Sequence, residues 1–304
     1  MTRCLRLIAA LFLALIAQAG GAFGAAPVLL VLSEADAIHQ EAAAAITAGL
    51  PLEAEAEQLF VQALAPEALE KRRVVVTVGS RAAQAVAELA PPTPVLHALI
   101  ARASYAQLPP AHRTAGRSAI FLDQPPARQI ALIRLALPEI PRIALLSSPA
   151  SEEMADELAA AARAQGLDVV GARVDADREL FVALQRVFAE PAVLLATPDP
   201  AVFNGYTVQN VLLTAYRRRS PVVGFSPAYA RAGALLALYS TPTQVGQQAA
   251  EAVRAVLRNG SLPQPAAPRR FEVAVNANVA RSLGLRLPAA EALTRSLLRQ
   301  EQGE

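Results

Sequence analysis

Short runs of Val, Ile and Leu recur along the chain without polar alternation, at 28–32, 74–78, 94–100, 119–122, 143–146, 169–174, 193–197, 222–225, 235–239 and 271–275. Strands of this composition have both faces covered, which predicts parallel sheet lying between helices. Longer segments between them carry apolar positions at helical spacing: 35–49, a helix from Ser80 to Leu89, 126–137, 151–165, 178–189, a helix bearing Tyr206 and Tyr216, 244–258 and 279–283. Gly49, Gly166 and Asn259-Gly260 mark helix ends. Strand and helix alternate as in a doubly wound α/β fold. The alternation runs once over about 26–117 and again over about 118–225, and a tail adds two strands around a Pro-rich connector at 263–268. The pattern predicts two parallel-sheet lobes joined by a hinge, one of 25–117 with 227–262 and one of 118–226 with 263–304.

Residues 1–24 read as a secretion signal. Arg3 and Arg6 precede an apolar stretch at 7–17 that is too short for a comfortable membrane span, and Ala22-Phe23-Gly24 places small residues before a cleavage point at Ala25. Ala17-Gln18-Ala19 is a second candidate cleavage site. The single cysteine, Cys4, lies ahead of the apolar stretch, whereas a lipid-bearing cysteine would follow it. The mature chain therefore has no disulfide and no thiolate metal site. The full chain has 28 Lys+Arg against 26 Asp+Glu, and loss of Arg3 and Arg6 leaves the two equal. No basic stripe suggests nucleic acid, and Arg217-Arg218-Arg219 ends a helix, where cations suit the dipole. His39, His97 and His112 are scattered, Glu53, Glu55 and Glu57 have no His at ligand spacing, and no nucleophile elbow, phosphate loop or dinucleotide fingerprint occurs. No catalytic residue, metal or cofactor is predicted.

Candidate binding chemistry sits where strands give way to helices, the crevice of an open parallel sheet. Ser33, Gly79 with Ser80, Ser147 with Ser148, Asp199 and Ser226 occupy such ends. Ser80 opens a helix and either caps it or presents it to an anion. Ser147 and Ser148 face the same choice, with Ser151 a competing cap. Asp199 lies between Pro198 and Pro200. It either caps the following helix or holds a ligand ammonium, in which case Asp199→Ala abolishes binding and leaves the fold intact. Six of the fourteen aromatics lie between Phe203 and Tyr239. Phe203, Tyr206, Tyr229 and Tyr239 can wall an apolar pocket with a polar rim, while Tyr216 reads as core. Asp123-Gln124-Pro125-Pro126 reads as a lobe junction, and Arg128 and Arg134 as a solvated helix face.

Several segments together resemble a known family. They are Val78-Gly79-Ser80-Arg81-Ala82-Ala83-Gln84, Leu122-Asp123-Gln124-Pro125, Leu145-Leu146-Ser147-Ser148-Pro149, Pro198-Asp199-Pro200-Ala201-Val202-Phe203-Asn204 and Asn276-Ala277-Asn278-Val279-Ala280-Arg281-Ser282-Leu283-Gly284-Leu285. In order and spacing they are similar to the periplasmic substrate-binding proteins of ABC transporters, in particular the tryptophan/tyrosine-binding-like group. The resemblance implies the type I binding-protein fold of two Rossmann-like lobes. It also implies a monomer in the periplasm, closure on a small solute, and an ABC permease of the inner membrane as partner. By the same resemblance, Gly79, Ser80, Ser147 and Ser148 approach the carboxylate of an amino acid and Asp199 its amine. The chain departs from the family at 51–73, which is short, acidic and predicts no second strand, and at His97-Ala98-Leu99-Ile100, which replaces a more polar turn. A bilobed sensor reporting to a membrane protein, and a secreted α/β enzyme, are the two other functional classes compatible with the pattern.

Overall fold

A computed structural model describes residues 26–110 and 116–303. The segment expected to be a secretion signal, with Cys4, and His112 lie outside the described residues. The first sheet contains β1 (Val28–Leu32), β2 (Ala56–Phe60), β3 (Val74–Val78), β4 (Val95–Ile100) and β5 (Arg117–Phe121), all parallel, in the order β2-β1-β3-β4-β5. Helices α1 (Ala37–Ala48), α2 (Ser80–Leu89) and α3 (Arg102–Ala106) belong to it. Every residue of β1, β3 and β4 is buried, as their unbroken apolar character demands. The strand β2 corrects the expectation of none at 51–73. It is an edge strand with exposed Glu57 and Gln58, so its sequence lacks the apolar run that marks a central strand.

The second sheet has the order β11-β10-β9-β8-β6-β7, built from β6 (Arg142–Ser147), β7 (Asp168–Arg173), β8 (Val193–Leu195), β9 (Val222–Gly224), β10 (Leu236–Tyr239) and β11 (Glu272–Val275). Only β11 is antiparallel to its neighbour. Its helices are α4 (Pro126–Ala136), α5 (Glu152–Ala164), α6 (Leu180–Val187), α7 (Val208–Arg217), α8 (Pro227–Ala232), α10 (Ala277–Leu283) and α11 (Ala290–Gln302). The helix between them in sequence, α9 (Pro242–Asn259), returns to the first sheet and packs on α1. A Cβ at Gly246 would lie 2.5 Å from the Ala42 carbonyl and 2.8 Å from the Ala45 Cβ, so glycine lets the two backbones meet.

The strand pairing moves both expected lobe boundaries. Residues 118–121 belong to the first sheet through β5, and 227–239 to the second through α8 and β10. In both cases a hydrogen-bonded neighbour decides membership, and composition carries no trace of it. Three crossings therefore join the lobes, after β5, between β10 and α9, and before β11. Ahead of the third, Ala266 pairs with the first sheet, accepting from the Phe121 N–H at 3.0 Å and donating to the Ala119 carbonyl at 2.9 Å.

Arg128 ties these crossings together. Its Nη1 donates to Gln124 Oε1 at 2.7 Å and to the Pro268 carbonyl at 2.9 Å, and its Nε donates to Glu301 on α11 at 2.5 Å. The guanidinium stacks 4.1 Å over the Phe271 ring. Gln124 Nε2 donates to Ser240 Oγ at 3.0 Å, and that hydroxyl donates to the Arg270 carbonyl at 2.5 Å. Arg128 is thus buried, at 6% exposure, and not part of a solvated face; Arg134 on the same helix is exposed.

Candidate functional site

A cavity of about 540 Å³ opens between the lobes beside the crossings. The first lobe lines it with Arg102 and Tyr105 from α3 and with Phe121 at the end of β5. The junction contributes Asp123, Gln124 and Pro125, and the second lobe Ser151, Met154, Thr197 and Asp199. These are carboxyl ends of strands and the first turns of the helices that follow, where an open parallel sheet places its ligands.

Of the ten residues expected to bind, Asp199 alone lines this cavity, and its carboxylate is committed to the fold. Oδ2 accepts from the Ser148 N–H at 3.0 Å and from the Ser151 hydroxyl at 2.6 Å, while Oδ1 accepts from the Ala201 N–H at 3.0 Å. It joins the turn after β6 to the turn after β8. Ser147 and Ser148 are buried beneath it, and Ser148 Oγ accepts from the Ala150 N–H at 3.3 Å.

Ser33, Gly79 and Ser80 form a separate group in the first lobe. Gly79 has φ +92°, and a Cβ there would lie 2.5 Å from both Ser33 Oγ and His39 Nε2. Having no side chain, Gly79 cannot cap α2. Ser33 does so from the next strand, its hydroxyl accepting from the Ala82 N–H at 2.9 Å. Ser80 is exposed at the first position of α2.

The aromatic expectations largely invert. Phe203 and Tyr229 are buried in the second lobe's core, packed edge to face with centroids 6.4 Å apart. The Tyr229 hydroxyl has no partner among the described residues, and burial pushes its pKa up. Tyr216, expected in the core, is 51% exposed because the buried stripe of α7 is Val211, Leu212 and Ala215. Tyr206 is almost fully exposed. Tyr239 donates to Glu272 Oε2 at 3.1 Å across the β10–β11 pair, and Ser226 caps α8 by accepting from the Tyr229 N–H at 3.2 Å. Phe203 and Tyr229 thus fill the core, Ser226 caps a helix and Tyr239 ties two strands together.

Asp123 and Arg102 are the site residues that sequence reasoning missed. Like Asp199, Asp123 is an acid just past a strand end, with Pro125 two residues on. It is 5% exposed, and its Oδ2 accepts from the Arg102 N–H at 2.7 Å. Burial pushes its carboxyl up to about 6, with the Asp199 charge adding to the effect and Arg102 opposing it. The Arg102 side chain reaches across the cavity mouth to α5, donating to the two Glu157 oxygens at 2.8 and 3.1 Å, with Glu153 at 3.7 Å.

His97, under Tyr105, is buried in β4 with Nδ1 2.8 Å from Thr77 Oγ1. Burial and the nearby Arg117 push its pKa down to about 3. The two groups act on stability with opposite signs. Asp123 binds its proton more tightly folded than unfolded, so its contribution is complete below pH 3.8 and fades as pH rises through about 6. His97 binds its proton less tightly when folded, so its contribution is complete above pH 6.5 and fades as pH falls toward about 3. Asp123→Asn removes the first and leaves the second. Between about pH 4 and pH 6 its unfolding free energy should climb with pH more steeply than wild type, by up to ~1.4 kcal/mol per pH unit. Urea titrations across that range test this, and parallel pH profiles for the two proteins would refute the assignment.

Solved structures of similar architecture have the type I periplasmic binding fold. One is an ABC domain in complex with L-Trp from Streptococcus pneumoniae, 18% identical over 90% of this chain and 98% of that chain, with a TM-score of 0.61. A conserved domain protein from Vibrio cholerae is 20% identical over 89% and 98%, with a TM-score of 0.63. The ligand-free, open structure of a Clostridium difficile substrate binding protein with adhesive properties is 16% identical over 88% and 97%, with a TM-score of 0.66. A search of curated proteins finds no match. The family model for ABC transporter substrate binding proteins matches residues 54–294, most of both lobes, and the chain belongs to that family.

Proposed function

We propose that the chain captures a small solute in the cavity between its lobes, in the periplasm, and delivers it as a monomer to an ABC permease of the inner membrane. The observation that carries this reading is a cavity of about 540 Å³ lined from both lobes and from the junction between them. That volume suits a compact organic molecule. Three crossings make a hinge about which the lobes can close, and closure on a ligand is a population shift toward the closed state. An amino acid or a related compound is the solute class favoured by the family resemblance and by the L-Trp complex of the pneumococcal neighbour.

A thermal-shift screen of residues 25–304 against amino acids, amides, sugars and purines tests the reading. A solute at a hundred times its Kd should stabilise the protein by ~2.7 kcal/mol. At about 2–4 °C per kcal/mol for a chain of this size, the melting temperature should rise by roughly 5–10 °C. Deleting the gene should then abolish uptake of the same compound. A screen in which no class shifts the melting temperature refutes solute capture.

A further inference from the structure

We propose that the outer face of α6 and α7, in the second lobe, is a docking surface for an anionic membrane. Its exposed aromatic and aliphatic side chains enter the membrane interface, and the arginines at the end of α7 meet the lipid phosphates. The inference goes beyond solute capture and does not depend on it.

The two helices are neighbours over one face of the second sheet. Their inner sides, Ala183, Leu184 and Val187 with Val211, Leu212 and Ala215, share a single core. Their outer sides are apolar where they meet water. Phe181 and Val182 on α6 are exposed, as are Leu213 and Tyr216 on α7, and Tyr206, just ahead of α7, is 95% exposed. Leu213 and Tyr216 are one turn apart and lie on the same side of α7. Large apolar side chains gathered on one exposed face mark an interaction surface. None of the residues lining the cavity comes from α6 or α7, so docking through this face leaves the cavity free.

Charge identifies the occupant. No Asp or Glu occurs between Pro200 and Ala250, a stretch that carries Arg217, Arg218, Arg219 and Arg231. Arg217, Arg218 and Arg219 are exposed, as is Arg186 on α6, and among the described residues none of these four forms an ion pair. The acids flanking α6 are engaged elsewhere: Glu190 pairs with Arg142, and Glu179 accepts from the Asp175 N–H at 3.0 Å. One cation at the end of α7 suits the helix dipole. Helix termination does not call for Arg219, whose φ of +53° favours glycine. Tyrosine with arginine is the composition of a membrane interface, and arginines free of acidic neighbours complement anionic headgroups. A two-fold pair of chains meeting through this face would instead bring like charges together. Among the described residues no helix is long and apolar enough to cross a membrane, so contact through this face is peripheral and reversible.

Vesicle flotation of residues 25–304 tests the proposal, with equimolar phosphatidylglycerol and phosphatidylcholine against phosphatidylcholine alone. Wild type should float with the anionic vesicles at low salt, stay behind with the neutral ones, and be released at about 1 M salt, where charges are screened beyond about 3 Å. Replacing Arg217, Arg218 and Arg219 together by Gln should weaken binding roughly a hundredfold, at about fivefold for each cation. The same exchange at Arg286, Arg295 and Arg299, three exposed arginines of the C-terminal segment, changes net charge equally and should leave binding as in wild type. Tyr206→Ser with Tyr216→Ser should weaken it at least about fivefold with every arginine in place. Equal losses in the two arginine triples would make the attraction one of overall charge and overturn the proposal, as would equal binding to both kinds of vesicle or unchanged binding after the tyrosine exchange. Absence of binding to anionic vesicles also overturns it, whether the face then serves a second copy or another protein. If the Arg217–Arg219 variant fails to fold, wild type, the control triple and the tyrosine variant still decide by the same outcomes.

Discussion

Asp199→Ala should lower the unfolding free energy by about 3–5 kcal/mol, the range for removing a buried charge from a bonded network. The substitution strips acceptors from the Ser148 and Ala201 N–H groups and from the Ser151 hydroxyl, in a region where Ser148, Ser151 and Asp199 are all buried. A buried donor left unmade costs about 1–3 kcal/mol, and water cannot readily replace the lost oxygens. At about 2–4 °C per kcal/mol the melting temperature should fall by roughly 10 °C. Asp199→Asn keeps an acceptor on one side and should fall between Ala and wild type. Calorimetric unfolding of the three proteins without ligand is the measurement. A loss below about 1 kcal/mol in the alanine variant would mean that the network contributes little and that the carboxylate is held for another purpose. The observed hydrogen bonding therefore adds a stability cost to the expectation that Asp199→Ala affects binding alone.

Arg128→Ala should be nearly as severe, at about 3–4 kcal/mol. It leaves the Pro268 carbonyl and Gln124 Oε1 without their donor, removes the stacking on Phe271, and detaches Glu301 at the end of α11. Arg128→Lys keeps the charge but loses the planar fork that bonds several acceptors at once, so it should recover only part of the loss. The position of the damage separates this variant from Asp199→Ala. Amides of the crossings, such as Phe121 and Ala266, should exchange with solvent faster than in wild type, while amides of β6 and β8 keep their relative protection. Uniform loss of protection across both lobes would show that Arg128 serves general stability and has no particular hold on the hinge.

Much of the fold was legible along the chain. The strands β1 and β3 fall where unbroken apolar runs predicted them, residue for residue, because a central parallel strand must be apolar on both faces. The helices α4 and α5 lie within a residue or two of their predicted ends, set by Pro126 and by the Ser151 and Gly166 region. Less was legible where one face meets water. The edge strand β2 reads Ala-Glu-Gln-Leu-Phe and lacks the apolar run, and Tyr216 sits just outside the stripe that its helix buries. For the site, strand ends were the right neighbourhood, yet most of the residues chosen there turned out to cap helices, tie turns together or fill the core.

By itself the sequence determined the class of architecture, two wound parallel sheets, because burial on both faces and helical periodicity are local properties written into consecutive residues. Tertiary structure alone decided which sheet β5 and β10 joined and what each polar side chain does. Those outcomes depend on partners far apart in the chain, such as Ser151 with Asp199, 48 residues on, Gln124 with Ser240, 116 residues on, and Arg128 with Glu301, 173 residues on. How many donors reach a carboxylate is decided by the fold in the same way. That number differs between Asp199, which accepts from Ser148, Ser151 and Ala201, and Asp123, which accepts from the Arg102 N–H, although both follow strand ends.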